Sequence, residues 1–274
     1  MARKLFCEIS PLTYKISTEK EILKRKLRDS LRGTKFAKRR EGEALPVVVY
    51  RHKSLIRRRL GNVNMLLQEN KANNLALAVK KIDGVVIEPG ETFSVWKMIG
   101  RTTERKGYKK GLTITHGVPT QGIGGGMCQL SNLIHWMVLH SELTIVEHHH
   151  HDAVDLFPDF GRQIPFGTGT SISYNYIDYR VKNETKNRYQ LRVWVDEEYL
   201  NGELRAVEQQ EHNFHIHAEN EFFSREEGVI YRNGEVYRDT IDRTTGNCLE
   251  RKLIRTNHAR VLYDVPPEVE IKES

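Results

Sequence analysis

Cysteine is scarce: Cys7, Cys128 and Cys248 are the three thiols in 274 residues, and their spacing shows no pairing. That excludes a small disulfide-stapled scaffold, fits a reducing compartment, and leaves Cys128 to be explained by packing or chemistry. No apolar run reaches the roughly 18 residues of a membrane-spanning helix. The first thirty residues carry charges where a signal peptide would place its apolar stretch, so the expected location is cytoplasmic. Internal repeats and low-complexity linkers are also lacking. The length suits one large domain or two modest ones, each with its own apolar core.

Acidic residues are sparse in one place. Residues 20–40 hold ten Lys or Arg against only Glu21 and Asp29, in a chain of net charge +7. Arg51, His52, Lys53, Arg57, Arg58 and Arg59 follow as a second basic cluster. Phe36 is the one aromatic among residues 20–40, too few to interleave for base stacking, and no nucleic-acid motif is present, so no specific nucleic-acid partner is expected. The stretch reads as a solvated basic face or as a peripheral contact with an anionic membrane surface.

Periodicity gives the elements. Thr18 with Glu21 makes a capping-box pattern, and Leu23, Leu27 and Leu31 repeat at helical spacing up to Gly33, predicting a short basic amphipathic helix. Leu75, Ala78, Val79 and Ile82 predict a second helix over about 71–82, before a strand at Val85 to Glu88 and the Pro89-Gly90 turn. Residues 112–115 read as a strand, Gly117 to Gly126 as a loop too glycine-rich for a regular element, and Met127 to about His140 as a helix. Leu143 to His148, Ser171 to Lys182 and Tyr189 to Val195 read as strands, and Asn201-Gly202 and Asn233-Gly234 each predict a hairpin turn. The expected fold class is α+β, with helices in the N-terminal half and mostly antiparallel sheet after the glycine-rich cysteine loop. Three regions are expected: a basic stretch over 1–60, a central domain over 61–210 and a β-rich region over 211–274.

The segment GIGGGMCQLSNLIHW places a thiol at a helix N-terminus directly after Gly124, Gly125 and Gly126. Unpaired N–H groups there favour a thiolate or an oxyanion, and glycines admit close approach of a substrate backbone. On that helix Cys128, Ser131, Asn132 and His135 share one face, which reads as the polar one. A cysteine nucleophile needs a base, and His148 to His151 supply four imidazoles; alternation sends His149 and His151 to one side and His148 and His150 to the other. Asp152, Asp155 and Asp178 can orient an imidazole. The competing metal reading uses His149-x-His151 and His215-x-His217 and ranks lower, because no standard zinc spacing is present. No metal ligand or cofactor is therefore expected.

These residues bring the chain close to a known family. PGETFSVWKMIGRTTERKGYKKGLTI at 89–114, GIGGGMCQLSN at 122–132, LTIVEHHHH at 143–151 and SISYNYIDYRVKNET at 171–185 resemble the VanW family over about 60–210. The resemblance falls on Glu91, Gly124, Gly125, Gly126, Cys128, Gln129 and Ser131, and among the histidines it picks out His151. It departs at Gly169 to Ile172, where the family often carries an acidic residue, which leaves Asp178 as the acidic candidate. The resemblance implies a context of cell-wall and glycopeptide resistance and brings no established reaction.

Two functions are expected from these parts. One is a cysteine-dependent amide hydrolase or acyl transferase on a peptide related to peptidoglycan precursors, with Cys128 as nucleophile, His151 or His149 as base and Asp178 as orienter. The other is a non-catalytic accessory module whose glycine loop, with Gln129, Ser131 and Glu91, holds a small-molecule or peptide ligand by its carboxylate or phosphate.

Overall fold

The computed structural model describes residues 5–57, 65–115, 118–150, 154–155, 164–174 and 177–273. The basic residues Arg58 and Arg59 lie outside them. The helices are α1 (Pro11–Leu31), α2 (Met65–Ile82), α3 (Val95–Ile99) and α4 (Met127–Leu139). The strands are β1 (Val47–Leu55), β2 (Val85–Ile87), β3 (Thr92–Ser94), β4 (Lys110–Thr115), β5 (Val118–Ile123), β6 (Thr144–Glu147) and β7 (Val154–Asp155). They continue as β8 (Arg180–Lys182), β9 (Tyr189–Val195), β10 (Tyr199–Ala206), β11 (His212–Glu226), β12 (Val229–Asp242), β13 (Cys248–Val261) and β14 (Ile271–Glu273). The fold is α+β: helices gather in the N-terminal half, and most strand pairs are antiparallel.

A central sheet of order β1-β10-β9-β2 carries α2 and α4 on one face. Leu75, Ala78 and Ile82 of α2, and Leu130, Leu133, Ile134 and Met137 of α4, bury their apolar stripes against Leu191, Val193, Leu200 and Leu204 of the sheet. Burial of this kind contributes roughly 25 cal/mol per Å² of apolar surface, enough to organise the domain around these two helices. Residues 47–55 of the basic N-terminal region are thus an edge strand of the central sheet, paired with β10.

A second sheet, β14-β11-β12-β13-β7, begins at His212 and takes in Val154–Asp155 from mid-chain. A small cluster of Trp136, Leu139, Ile216 and Val236 joins it to the end of α4. There Arg238 donates to the carbonyls of Leu139 (2.8 Å) and Ser141 (2.6 Å), a cation placed where the helix dipole favours one.

Several local expectations are corrected. Helix α1 starts seven residues before Thr18: Ser10 is its N-cap, exchanging hydrogen bonds with Thr13 (3.2 and 2.9 Å), and Pro11 supplies the first helical position. Its C-terminus is a Schellman closure, with Thr34 N–H on Asp29 O and Gly33 N–H on Ser30 O at a φ of 60°. The glycine-rich stretch after Gly117 holds strand β5, a hairpin partner of β4 whose Thr113 and Thr120 hydroxyls meet at 2.9 Å. Among the described residues of the 171–182 segment, only β8 and an isolated bridge of Ser173 with Ile177 are strand-like. Neither Asn-Gly pair turns the chain: Asn201-Gly202 lies inside β10 and Asn233-Gly234 inside β12.

Candidate functional site

Gly126 is the N-cap of α4 at a φ of 103°, and Cys128 sits in the first helical turn. The space in front of the three glycines is taken by the chain itself. A Cβ on Gly124 would run into Thr102, one on Gly125 into the backbone of Gly111, and one on Gly126 into Lys71. Asn74 Nδ2 donates to the Gly125 carbonyl at 2.9 Å. The glycines therefore seat the β4–β5 hairpin and α2 against α4.

The same closeness works against the expectation of an acidic thiol. Cys128 packs on the central core, and its Sγ points to the carbonyl of Ile172 at 3.9 Å. Burial pushes its pKa up, because a thiolate loses more hydration than these weak contacts return. Ser131 and His135 are buried as well: the face expected to be polar and open is covered by the 169–172 segment at Cys128, Ser131 and Asn132, and by His148 and Tyr179 at His135. Asn132 Oδ1 accepts from Thr170 N–H (2.6 Å) and Oγ1 (2.8 Å), and the Ser131 hydroxyl contacts that of Thr170.

The other candidates are spread through the fold. Gln129 donates to Ser54 Oγ and the Leu55 carbonyl, both at 2.9 Å, tying α4 to β1. Glu91 accepts from Glu88 N–H at 3.1 Å across the Pro89-Gly90 turn. Asp178 is buried and accepts from Ser94 Oγ (2.5 Å), Trp96 N–H (3.1 Å) and Arg180 Nε (3.0 Å), which holds the start of α3. His149 Nε2 lies 3.0 Å from Glu147 Oε1. Asp155 accepts from Tyr263 Oη at 2.8 Å in the second sheet. His151 and Asp152 lie outside the described residues.

His148 and His150 turn to one side, with ring centroids 4.0 Å apart, and His135 lies against His148 at 4.1 Å with the ring planes tilted by 39°. His135 Nδ1 meets Tyr179 Oη at 3.1 Å. Burial, followed by the neighbouring imidazoles, lowers the pKa of His148 to about 3 and takes His135 well below its ordinary value. His135 and His148 are therefore neutral packing groups at neutral pH.

What the sequence did not mark is a charged network under α1. Arg180 donates to both oxygens of Asp29 (2.7 and 3.0 Å), and Arg25 to both oxygens of Glu147 (2.7 and 2.6 Å). Burial pushes the Glu147 carboxyl up, but Arg25, the Asp178 N–H and His149 together hold it below its usual range. A cleft opens here, lined by Arg25, Lys26, Lys97 and Arg180 together with the Asp29 and Asp178 carboxylates and the perpendicular rings of Trp96 and Tyr174 at 5.3 Å. The spacing of Asp29 from Ile22, one heptad along α1, was the available signal for the face that docks.

The opposite face of α1 is open. Leu12, Ile16, Leu23, Leu27 and Leu31 form one stripe and are 49–88% exposed, while Ile22 and Asp29 on the far side are buried. Lys15, Lys20, Lys24, Lys26 and Arg28 are exposed around that stripe.

The family is defined by comparison with known proteins. Residues 70–205 match the family described as VanW like protein, and the chain belongs to the VanW family. Vancomycin B-type resistance protein VanW of Enterococcus faecalis is 38% identical over 211 residues, covering 77% of this chain and 76% of that one. The uncharacterized protein YoaR of Bacillus subtilis is 32% identical over 119 residues, 42% of this chain and 36% of that one. No solved structure matches the chain.

Proposed function

We propose that this VanW-family chain is a membrane-peripheral accessory protein of glycopeptide resistance, which docks on an anionic bilayer through α1 and holds an anionic ligand in the cleft behind it. The observation that carries this reading is the exposed aliphatic stripe of α1, edged by lysines and opposed by the buried Asp29 anchor. Such a helix lies in the interface plane, with its apolar side at the acyl boundary and its cations on lipid phosphates. Placement at the cytoplasmic leaflet is supported by the free thiols of Cys7, Cys128 and Cys248. The ligand chemistry follows from the cleft: Arg25 and Arg180 are engaged by Glu147, Asp29 and Asp178, and Lys26 and Lys97 stand beside two aromatic rings, which suits a peptide carboxylate or a phosphate.

A hydrolase built on Cys128, His151 and Asp178 is the weaker reading. Burial works against the thiolate, and Asp178 already spends its oxygens on Ser94, Trp96 and Arg180. Vesicle flotation of the full chain tests the choice. The expected result is binding to vesicles containing phosphatidylglycerol, loss in high salt, and loss in the double variant Leu23→Glu, Leu27→Glu with an unchanged circular dichroism spectrum. Equal binding to neutral and anionic vesicles would overturn the docking reading. Peptide turnover abolished by Cys128→Ser would restore the hydrolase.

A further inference from the structure

The second sheet holds a side-chain cluster that neither the α1 cleft nor the α4 turn uses. His215 and His217 project from one face of β11, two residues apart, with centroids 5.0 Å apart and ring planes within 17°. Asp239 of β12 is the direct cross-strand partner of His215. One ligand atom from each of the three lies within 4.8 Å of the other two.

Hydrogen bonding prepares one of these imidazoles as a ligand. His217 Nε2 is 3.0 Å from Glu219 Oε1, which places the proton on Nε2 and leaves the lone pair on Nδ1. That Nδ1 is buried without a hydrogen-bond partner and faces Asp239 Oδ2 at 3.8 Å, beyond direct bonding. In the neutral ring two acceptors face each other across this gap, and a cation between them would satisfy His217 Nδ1, the one of the two without a partner, while bonding Oδ2 as well. Arg251 grips the same carboxylate through Nε–Oδ1 (3.0 Å) and Nη2–Oδ2 (3.2 Å), fixing its orientation. Carboxylate on the far side of an imidazole and an orienting partner on a ligating carboxylate are the outer supports of protein metal sites.

We propose that His215, His217 and Asp239 bind a divalent transition-metal ion, with zinc the best match to two imidazoles and a carboxylate. The site lies outside residues 70–205, so it belongs to the second sheet and is independent of the α1 reading.

Calorimetric titration of chelator-treated full-length protein with zinc chloride tests it, with cobalt absorption as a second readout. One zinc per chain is expected, together with the visible bands of tetrahedral cobalt. His215→Ala, whose residue is exposed, should abolish both without changing the circular dichroism spectrum. Glu219→Gln should weaken binding by about tenfold or more, through the imidazole it supports. His149→Ala should leave the titration unchanged. Failure to bind zinc stoichiometrically would overturn the proposal, as would binding that survives both His215→Ala and His217→Ala or is lost instead in His149→Ala.

Discussion

Arg180 reaches across the fold to take both carboxylate oxygens of Asp29, at 2.7 and 3.0 Å, so that β8 grips the buried side of α1. Both side chains are about nine-tenths buried, and Asp178 shares the guanidinium through Nε. Removing one partner of such a pair leaves a charge without its counterion in a poorly hydrated place. Asp29→Ala is expected to cost about 3–5 kcal/mol in denaturant unfolding, or to release α1 as faster amide exchange over residues 11–31. Unchanged exchange together with unchanged stability would show that α1 is held by other contacts.

Gly202 supports a prediction at the other end of the core. A Cβ there would lie 2.8 Å from both Leu133 Cδ2 and Met137 Cε of α4, so the glycine is the seat on which that helix rests against β10. Gly202→Ala is expected to destabilise by about 1–3 kcal/mol through overpacking, measured as a lower denaturant midpoint at unchanged slope. A neutral or stabilising result would mean that the helix shifts freely.

That position also explains why some elements were legible in the sequence and others were not. Asn201-Gly202 has the composition of a hairpin turn, but the glycine answers a demand from α4, distant in sequence; the turn is made instead by Asp196, whose Oδ1 accepts from Glu198 N–H (2.9 Å) and Tyr199 N–H (2.7 Å). Likewise Glu227 and Gly228, both at positive φ, close β11 to β12, where only the glycine is a local cue. Helices with full apolar stripes, α2 and α4, were readable because burial on one face imposes a period. The site was harder. Cys128 at a helix start looked open because the segment that covers it, Thr168 to Ile172, has no periodicity of its own. The Asp29–Arg180 pair spans 151 positions, which no local pattern encodes.

The neutral imidazole cluster predicts a pH dependence. His148 titrates near its ordinary value when unfolded but at about 3 when folded, chiefly through burial, so between those values the unfolded chain binds a proton that the folded one refuses. The His148 contribution to stability is therefore fully present above pH 6.5 and is lost as pH falls towards 3. His148→Gln should flatten the slope of stability against pH in that window, measured by urea unfolding at a series of pH values. A slope identical to that of the parent protein would assign the acid sensitivity to other groups.

Thiol reactivity separates the packed cysteine from an activated one. Cys248 is exposed on β13, whereas Cys128 is half-buried with its pKa raised by burial. Because alkylation proceeds through the thiolate and needs access, both factors slow Cys128. Mass-spectrometric mapping after brief iodoacetamide treatment at neutral pH should find Cys248 modified well before Cys128, and unfolding should equalise the two. The helix N-terminus opposes this ordering, since its N–H groups favour the anion. If that effect outweighed burial, Cys128 would be labelled first, and would become slower again when His149 or His151 is replaced by alanine. The rank order of the two thiols, read within a single sample, thus decides which of two opposing contributions governs the first turn of α4, and with it whether Cys128 is a packed residue or an available nucleophile.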